Sequence, residues 1–536
     1  MSVSAGVDGD RELPAGWAWA TLGDLLHRIE AGKSFTCEPR PAQLNEWGVV
    51  KVSAMTWGEF NAEENKAVPK GRAFDPGHEI SPGDVLVSRA NTKAYVGAPV
   101  LVGACRPRLL LSDKSLRLVP RDGVSKRWLV HFLRSPEARS YVEAKASGTK
   151  DAMRNLSQEA LRRMPVPLPP LAEQHRIVEA LEEQLSRLEV ALKSLESSAA
   201  RSTSLRRSLL VRAFSGVLLP DNGGPRCSAR PLLERVDAQV SAHAGKKRWS
   251  QECTPAQEWC RDLPEGWEWR TLGSLALLIQ YGSSAKAESS AGDGAVPVIR
   301  MGNIQSGEIV LDDVKYLPGG HPDVEPLRLL DGDLLFNRTN SAELVGKSAV
   351  YRDGIGEAVF ASYLIRCHLA DGIDPDWVSA YVNSPGGRKY ITSVLSQQVG
   401  QANVNSAKLA SLPIPVPSAG EQANIMEALR EWYRLLGRSD KARETANLRA
   451  GQLRKSLLRA AFAGSLVRQS PDDEPAADLL ARVTAERAAR PEAKRPRTAR
   501  AKKLTKAPAP RAAEASASAP EPTPAPALAV QQEFDL

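Results

Sequence analysis

The chain has 536 residues, 42% of them hydrophobic and 25% charged, with a formal net charge of +8; this excludes one hydrophobic core, because cores stop growing at about 250–300 residues. No apolar run approaches the ~20 residues of a membrane span. The N-terminus MSVSAGVDGDREL lacks the basic and apolar regions of a signal peptide, so a soluble cytoplasmic protein with no membrane association is expected.

The charge is local. Nine basic residues face one acid, Glu492, between Arg490 and Arg511, a surplus of eight that leaves the rest of the chain formally neutral. A polyanion surface in the folded body must therefore come from clustering. The six cysteines form no CxxC pair, so neither a zinc ribbon nor a disulfide framework is indicated.

In chain order, the first feature is LPAGWAWATLGDL (Leu13 to Leu25), which returns as LPEGWEWRTLGSL (Leu263 to Leu275), nine identities in thirteen. Short β-branched runs follow, Val49 to Val52 and Val85 to Ser88, with Val296 to Ile299 and Leu334 to Asn337 in the second copy. They are broken by Gly, Pro and Asn and predict strands with turns. ISPGDVLVSRAN (Ile80 to Asn91) answers LLDGDLLFNRTN (Leu329 to Asn340), and Trp128 and Tyr141 answer Trp377 and Tyr390.

A proline-rich stretch, MPVPLPPLAEQ against LPIPVPSAGEQ, closes each β-rich part. Beyond it Ile177, Leu181, Leu185, Leu188, Leu192 and Leu195 recur at heptad-like spacing, and Ile425, Leu429, Trp432, Leu436, Leu453 and Leu457 answer them. Each helix could cover its own domain. A stripe of about 40 residues, roughly 60 Å, favours pairing of the two helices with each other.

Residues 220–262 find no match in the repeat and predict a linker with a short helix at Pro231 to His243. Beyond about Gln469 the chain is too poor in large apolar residues to fold alone and predicts a disordered basic tail able to touch polyanions.

No catalytic constellation stands out. Gly346-Lys347-Ser348 lacks the upstream glycine of a phosphate loop, Ser341 standing there instead, and no HExxH occurs. What repeats is a polar turn after a buried strand: Arg89, Asn91 and Lys93 in one copy, Arg338 and Asn340 in the other. These types suit phosphate and base edges, although the arginines could equally pair internally. A second segment is basic in the first copy (Lys145 to Arg154, with Lys150 and Arg154) and amide-rich in the second (Gln397 to Asn405, with Gln401 and Asn403). Such divergence is expected of two readers of different bases, or of two solvated loops. Lys51, Arg300 and Asn303 complete the DNA-binding candidates; no catalytic or metal-binding residue is assigned.

The opening Leu-Pro-x-Gly-Trp-x-Trp, the Gly-Asp pair, the Pro-x-Pro-x-Pro with Glu-Gln, and the closing Leu-x-x-Ser-Leu-Leu-x-x-Ala-Phe-x-Gly-x-Leu strongly resemble the specificity (S) subunit of type I restriction-modification enzymes, the HsdS family, over about residues 13–466. The resemblance implies an α+β chain. Two mixed β-rich target recognition domains (13–170 and 263–418) would be separated by two long helices (171–218 and 419–466) forming an antiparallel coiled coil, with a linker at 219–262 and a disordered tail at 467–536. It further implies a non-catalytic subunit that binds double-stranded DNA at a bipartite asymmetric site, one domain per half-site. Two methyltransferase (M) subunits and restriction/translocase (R) subunits would be its partners. S-adenosylmethionine, ATP and Mg would be bound by those partners and none by this chain. The competing reading is a non-catalytic scaffold that assembles proteins through its coiled-coil helices.

Overall fold

The computed structural model describes residues 12–489 apart from 57, 149–152, 221–225, 244–261, 291, 342–343 and 399–400. Each copy of the repeat folds the same way. In the first, a four-stranded antiparallel sheet runs in the order Leu26–Ala31, Ser115–Pro120, Val85–Ser88, Pro99–Leu101. In the second, the order is Ala276–Tyr281, Leu364–Leu369, Leu334–Asn337, Ser348–Val350. A three-stranded sheet joins each: Asn65–Ala67, Gly48–Val50 and Leu109–Leu110, against Lys315–Leu317, Val296–Ile299 and Val359–Phe360.

The repeated motifs are the closures of this fold. The proline-rich stretch is a strand, Pro165–Leu168 or Pro413–Val416, that pairs antiparallel with the entering strand, Trp19 opposite Pro167 and Trp269 opposite Pro415. Proline donates no backbone hydrogen bond, so it is tolerated in such a two-stranded edge pair. The Trp17 indole N–H donates to Glu173 at 3.0 Å, and Trp267 donates to Glu421 at 3.0 Å. The neighbouring glutamine accepts from the backbone ahead of a helix, Gln174 from Ser125 at 2.8 Å and Gln422 from Asp374 at 3.0 Å. Tyr141 and Tyr390 donate to the carbonyls of Ala160 and Lys408, each at 2.9 Å. Trp-Glu-Gln-Tyr is thus a hydrogen-bonded clasp of buried polar groups, each of which is costly to leave unpaired.

The long helices are Leu171–Phe214 and Ala419–Phe462, 44 residues each. They pair with each other, as the stripe predicts, and run antiparallel, as the resemblance implies. Leu458, Ala461 and Phe462 enter the core of the first domain beside Ile177 and Leu181, while Leu209, Leu210 and Ala213 enter that of the second beside Ile425 and Leu429. Each domain therefore rests on one end of both helices.

The seam differs from the expected one on the second helix. Trp432 and Leu453 are exposed, and the inward positions are Ile425, Leu429, Leu436, Ala450 and Leu458, with half-buried Asp440 and Arg443 between. Asp440 receives Arg206 at 2.5 Å, Arg443 at 2.6 Å and Ser202 at 3.3 Å. A polar layer of this kind specifies register within an apolar seam. At the matching place near the first domain stand Leu192 and Ala450 instead.

The segment expected to be an unmatched linker is repeated as well. ARPLLERVDA (229–238) and AADLLARVTA (476–485) agree at six of ten positions. They open the helices Arg230–Ala242 and Ala476–Ala489. The Ala229 N–H donates to Gly266 at 2.7 Å and the Ala476 N–H to Gly16 at 2.9 Å. Leu232 lies over Gly372, and Leu479 over Gly123, where a Cβ would stand 2.9 Å from a Leu479 methyl group.

The tail boundary moves accordingly. Residues 467–480 are folded onto the first domain, with Asp473 paired to Arg176 at 2.5 Å, and the second helix of this pair continues to Ala489. The basic run of Arg490 to Arg511 and everything after it lie outside the described residues. Among the described residues no helix is long and apolar enough to cross a membrane, and Cys37, Cys105, Cys227 and Cys367 are free thiols.

Candidate nucleic-acid interface

Strand direction brings the predicted polar segments to one edge of each domain. Leu26–Ala31 and Val85–Ser88 end where Ser115–Pro120 begins, Ala31 opposite Leu116 and Ser88 opposite Ser115. The chain leaves this edge as Arg89-Ala90-Asn91, which pairs antiparallel with Arg154-Asn155, Asn91 opposite Arg154. In the second domain Thr339–Asn340 pairs with Gln401–Asn403, Thr339 opposite Asn403. The Leu156 N–H donates to the Arg89 carbonyl and the Val404 N–H to that of Arg338, each at 2.9 Å. Two segments more than sixty residues apart thus form one rim in each domain.

The two arginines are held differently. The guanidinium of Arg338 stacks 4.7 Å over the Tyr281 ring and donates to the Ser362 carbonyl and to Asn403 Oδ1, each at 3.4 Å. Arg89 is half-buried, and among the described residues its guanidinium has no hydrogen-bond or ion-pair partner. Ala31 stands at the position of Tyr281, and Lys114 at that of Tyr363, so two aromatic positions of the second rim hold a small and a cationic residue in the first. Tyr281 is 38% exposed and Tyr363 49%, enough for an aromatic face to meet a base.

The remaining candidates divide. Lys93 is exposed beside Arg89, with no partner among the described residues. Asn91 and Asn340 spend their carbonyl oxygens locally, on the N–H groups of Thr92 and Ser341 at 2.8 Å. Arg154 is turned inward, donating to the carbonyls of Ala146 at 2.8 Å and Gly148 at 3.0 Å; it shapes the rim from behind. Lys150 lies outside the described residues, and of Gln401 only the backbone, within its strand, is described.

Three candidates are engaged by their own turns, although Asn340 Nδ2 of the rim lies 3.3 Å from the sulfur of Met301, next to Arg300. Lys51 and Arg300 each precede a short helical turn and pair locally, with Glu64 at 3.4 Å and Asp313 at 3.0 Å. Asn303 is buried; it accepts from the Arg300 N–H at 2.9 Å and donates to the carbonyls of Val310 and Asp312. With its hydrogen-bonding capacity spent, Asn303 is a framework residue rather than a free reader.

Sequence reasoning missed Tyr281, Tyr363 and Lys114. A usable signal existed, because each differs between copies at a strand end next to a retained arginine.

Among known proteins, a family profile described as "Type I restriction modification DNA specificity domain" matches residues 14–196, the first domain and the start of its helix. The EcoEI specificity subunit of Escherichia coli is 36% identical over 174 residues, covering 32% of this chain and 29% of that protein, so this match spans under a third of that relative. The EcoKI specificity subunit of Escherichia coli K12 is 22% identical over 495 residues, covering 89% of this chain and 97% of that one. In fold, the chain is similar to one solved in work on complex assembly and conformational transition of the type I R-M system: TM-score 0.58 at 18% identity, covering 85% of this chain and 100% of that one. Duplicated β-rich domains, paired spacer helices and these matches agree, and the chain belongs to the specificity-subunit family of type I restriction-modification systems.

Proposed function

We propose that this specificity subunit recognises a bipartite, asymmetric site on double-stranded DNA, each domain reading one half-site. The carrying observation is that one framework is built twice while its rim is not: around the retained Arg89 and Arg338, Ala31 and Lys114 of the first domain stand where the second has Tyr281 and Tyr363. Two identical readers would have no reason to diverge there and stay alike in the clasp. A helix of 44 residues is about 66 Å long, ample to set readers on successive faces of a duplex whose major grooves recur every ~34–36 Å.

In this reading the chain performs no chemistry. Two methyltransferase subunits would bind S-adenosylmethionine and modify an adenine flipped out of each bound site. Restriction/translocase subunits would use ATP and Mg for cleavage elsewhere. The specificity subunit directs both.

Single-molecule sequencing of methylated adenines in a host carrying the system tests this. A split motif with a constant spacer is expected. Gel shifts with the methyltransferase present that show no sequence preference would favour a scaffold instead.

A further inference from the structure

A second cationic feature lies behind the first rim. Met55, Thr56 and Gly58, then Ala94, Ala98 and Pro99 of the loop that carries Arg89 and Lys93, line a cavity of about 240 Å³ together with Arg134, Arg139, Arg454 and Leu458. Arg134 and Arg139 follow from the helical end of the domain and Arg454 from the second long helix, so three separate elements contribute one guanidinium each. Arg139 donates to the carbonyls of Val96 at 2.6 Å and Ala94 at 3.2 Å, and Arg134 to those of Gly58 and Pro99. Arg454 is exposed and unpaired among the described residues. No described carboxylate comes within ion-pair distance of any of the three; Glu59 and Glu143 act on Arg134 and Arg139 only from farther away.

Burial, and for Arg134 also the neighbouring charge of Arg454, lower the proton affinity of Arg134 and Arg139. The second domain alters two of the three positions. Asn383 replaces Arg134, and Arg206, at the position of Arg454, is neutralised by Asp440 at 2.5 Å. Arg388 keeps the place of Arg139 and donates to the Val345 carbonyl, so the copies differ at Arg134 and in the counter-ion beside Arg206. A cavity of this volume holds a tetrahedral oxyanion with its waters, and guanidinium forks match phosphate oxygens in pairs.

We infer that the cavity between Arg134, Arg139 and Arg454 is a phosphate-binding site, which ties the second spacer helix to the loop bearing Arg89 and Lys93. The phosphate is either a free ion or a group of a DNA backbone. The inference does not depend on which bases the rim reads, and specificity data would leave it untouched.

Thermal unfolding of the full chain in inorganic phosphate, against chloride at equal ionic strength, provides the test. Wild type is expected to gain about 3 °C at phosphate a hundredfold above its dissociation constant. Arg454→Gln, an exposed change that leaves the fold intact, should lose that gain, and Arg206→Gln should keep it. Equal gains in wild type and Arg454→Gln would reduce the effect to general salt exclusion and overturn the site, as would no gain in wild type. Random-sequence duplex then separates the sources: competition with phosphate identifies a backbone group, additive stabilisation a free ion, and either result upholds the cavity as an oxyanion site.

Discussion

Arg89 and Arg338 leave the same strand end in the two domains, yet Arg338 lies on Tyr281 and against Asn403 while Arg89 has no partner among the described residues. The spacer shows a matching contrast: Asp440 gathers Arg206 and Arg443 near the second domain, and Leu192 with Ala450 serves near the first. A shared framework thus carries one rim whose arginine is satisfied internally and one whose arginine has no partner among the described residues. Duplication supplies the scaffold, and the rims differ in the partners of their side chains rather than in backbone.

The sharpest way to break that comparison is through the core it assumes to be common. Trp128 and Trp377 are both fully buried, so replacement of either by alanine should cost about 3–5 kcal/mol in chemical denaturation. The tryptophan-to-phenylalanine pair refines this. Trp377 donates to the Pro415 carbonyl at 2.9 Å, whereas the buried Trp128 N–H has no hydrogen-bond partner among the described residues. Trp377→Phe should therefore cost about 1 kcal/mol more than Trp128→Phe; equal costs would show that the hydrogen bond contributes nothing net.

Removal of the rim arginines comes next. Arg89→Ala should weaken DNA binding by about 1–3 kcal/mol at a base, or uniformly across sequences at a phosphate, with unfolding unchanged. Arg338→Ala should weaken binding and also loosen Tyr281 and Asn403, seen as faster hydrogen exchange in Gln401–Asn403. Loss of thermal stability in Arg89→Ala would contradict the account of that side chain as open.

Opposite pH responses are expected from two histidines that the copies do not share. Asp333 accepts from His368 at 2.8 Å and raises its pKa, so this stabilisation is complete below about pH 6.5 and is lost as pH rises through the folded value. Burial lowers the pKa of His131, despite Glu182, so its contribution is present above about pH 6.5 and is lost as pH falls. In the repeat, Val119 holds the position of His368, and Ala380 that of His131. His368→Val should flatten the alkaline side of the stability profile and His131→Ala the acid side; a reversed assignment would refute the sign of both.

The smallest effect lies in the spacer. Desolvation alone would raise the Asp440 pKa, but Arg206 and Arg443 outweigh it and the net shift is downward, which places its loss of stabilisation in acid below about pH 4. Asp440→Asn should cost at most about 1 kcal/mol at neutral pH, measured by denaturant unfolding. A larger cost would make the polar layer a principal support of the coil.

The duplication, the clasp residues and the helices were legible because they follow fixed spacing and strong periodicity. The second helix's seam was misread at Trp432 and Leu453, since Asp440 and Arg443 occupy inward positions that apolar counting skips. The capping repeat at 229–238 and 476–485 escaped because it offers only a few apolar positions and lies in polar, proline-rich surroundings at a slightly shifted offset. At the rim, residue types identified Arg89 and Arg338, but which arginine is satisfied depends on Tyr281 and Asn403, brought together by the sheet. Asn303 shows the converse: a residue type suited to reading bases can be consumed by its own turn.

The most direct test of the central claim is to exchange residues 13–165 for the matching domain of another specificity subunit and sequence methylated adenines genome-wide. The account predicts a new sequence in one half of the split motif, with the other half and the spacer length unchanged. A change in both halves would contradict independent reading by two domains on a common scaffold.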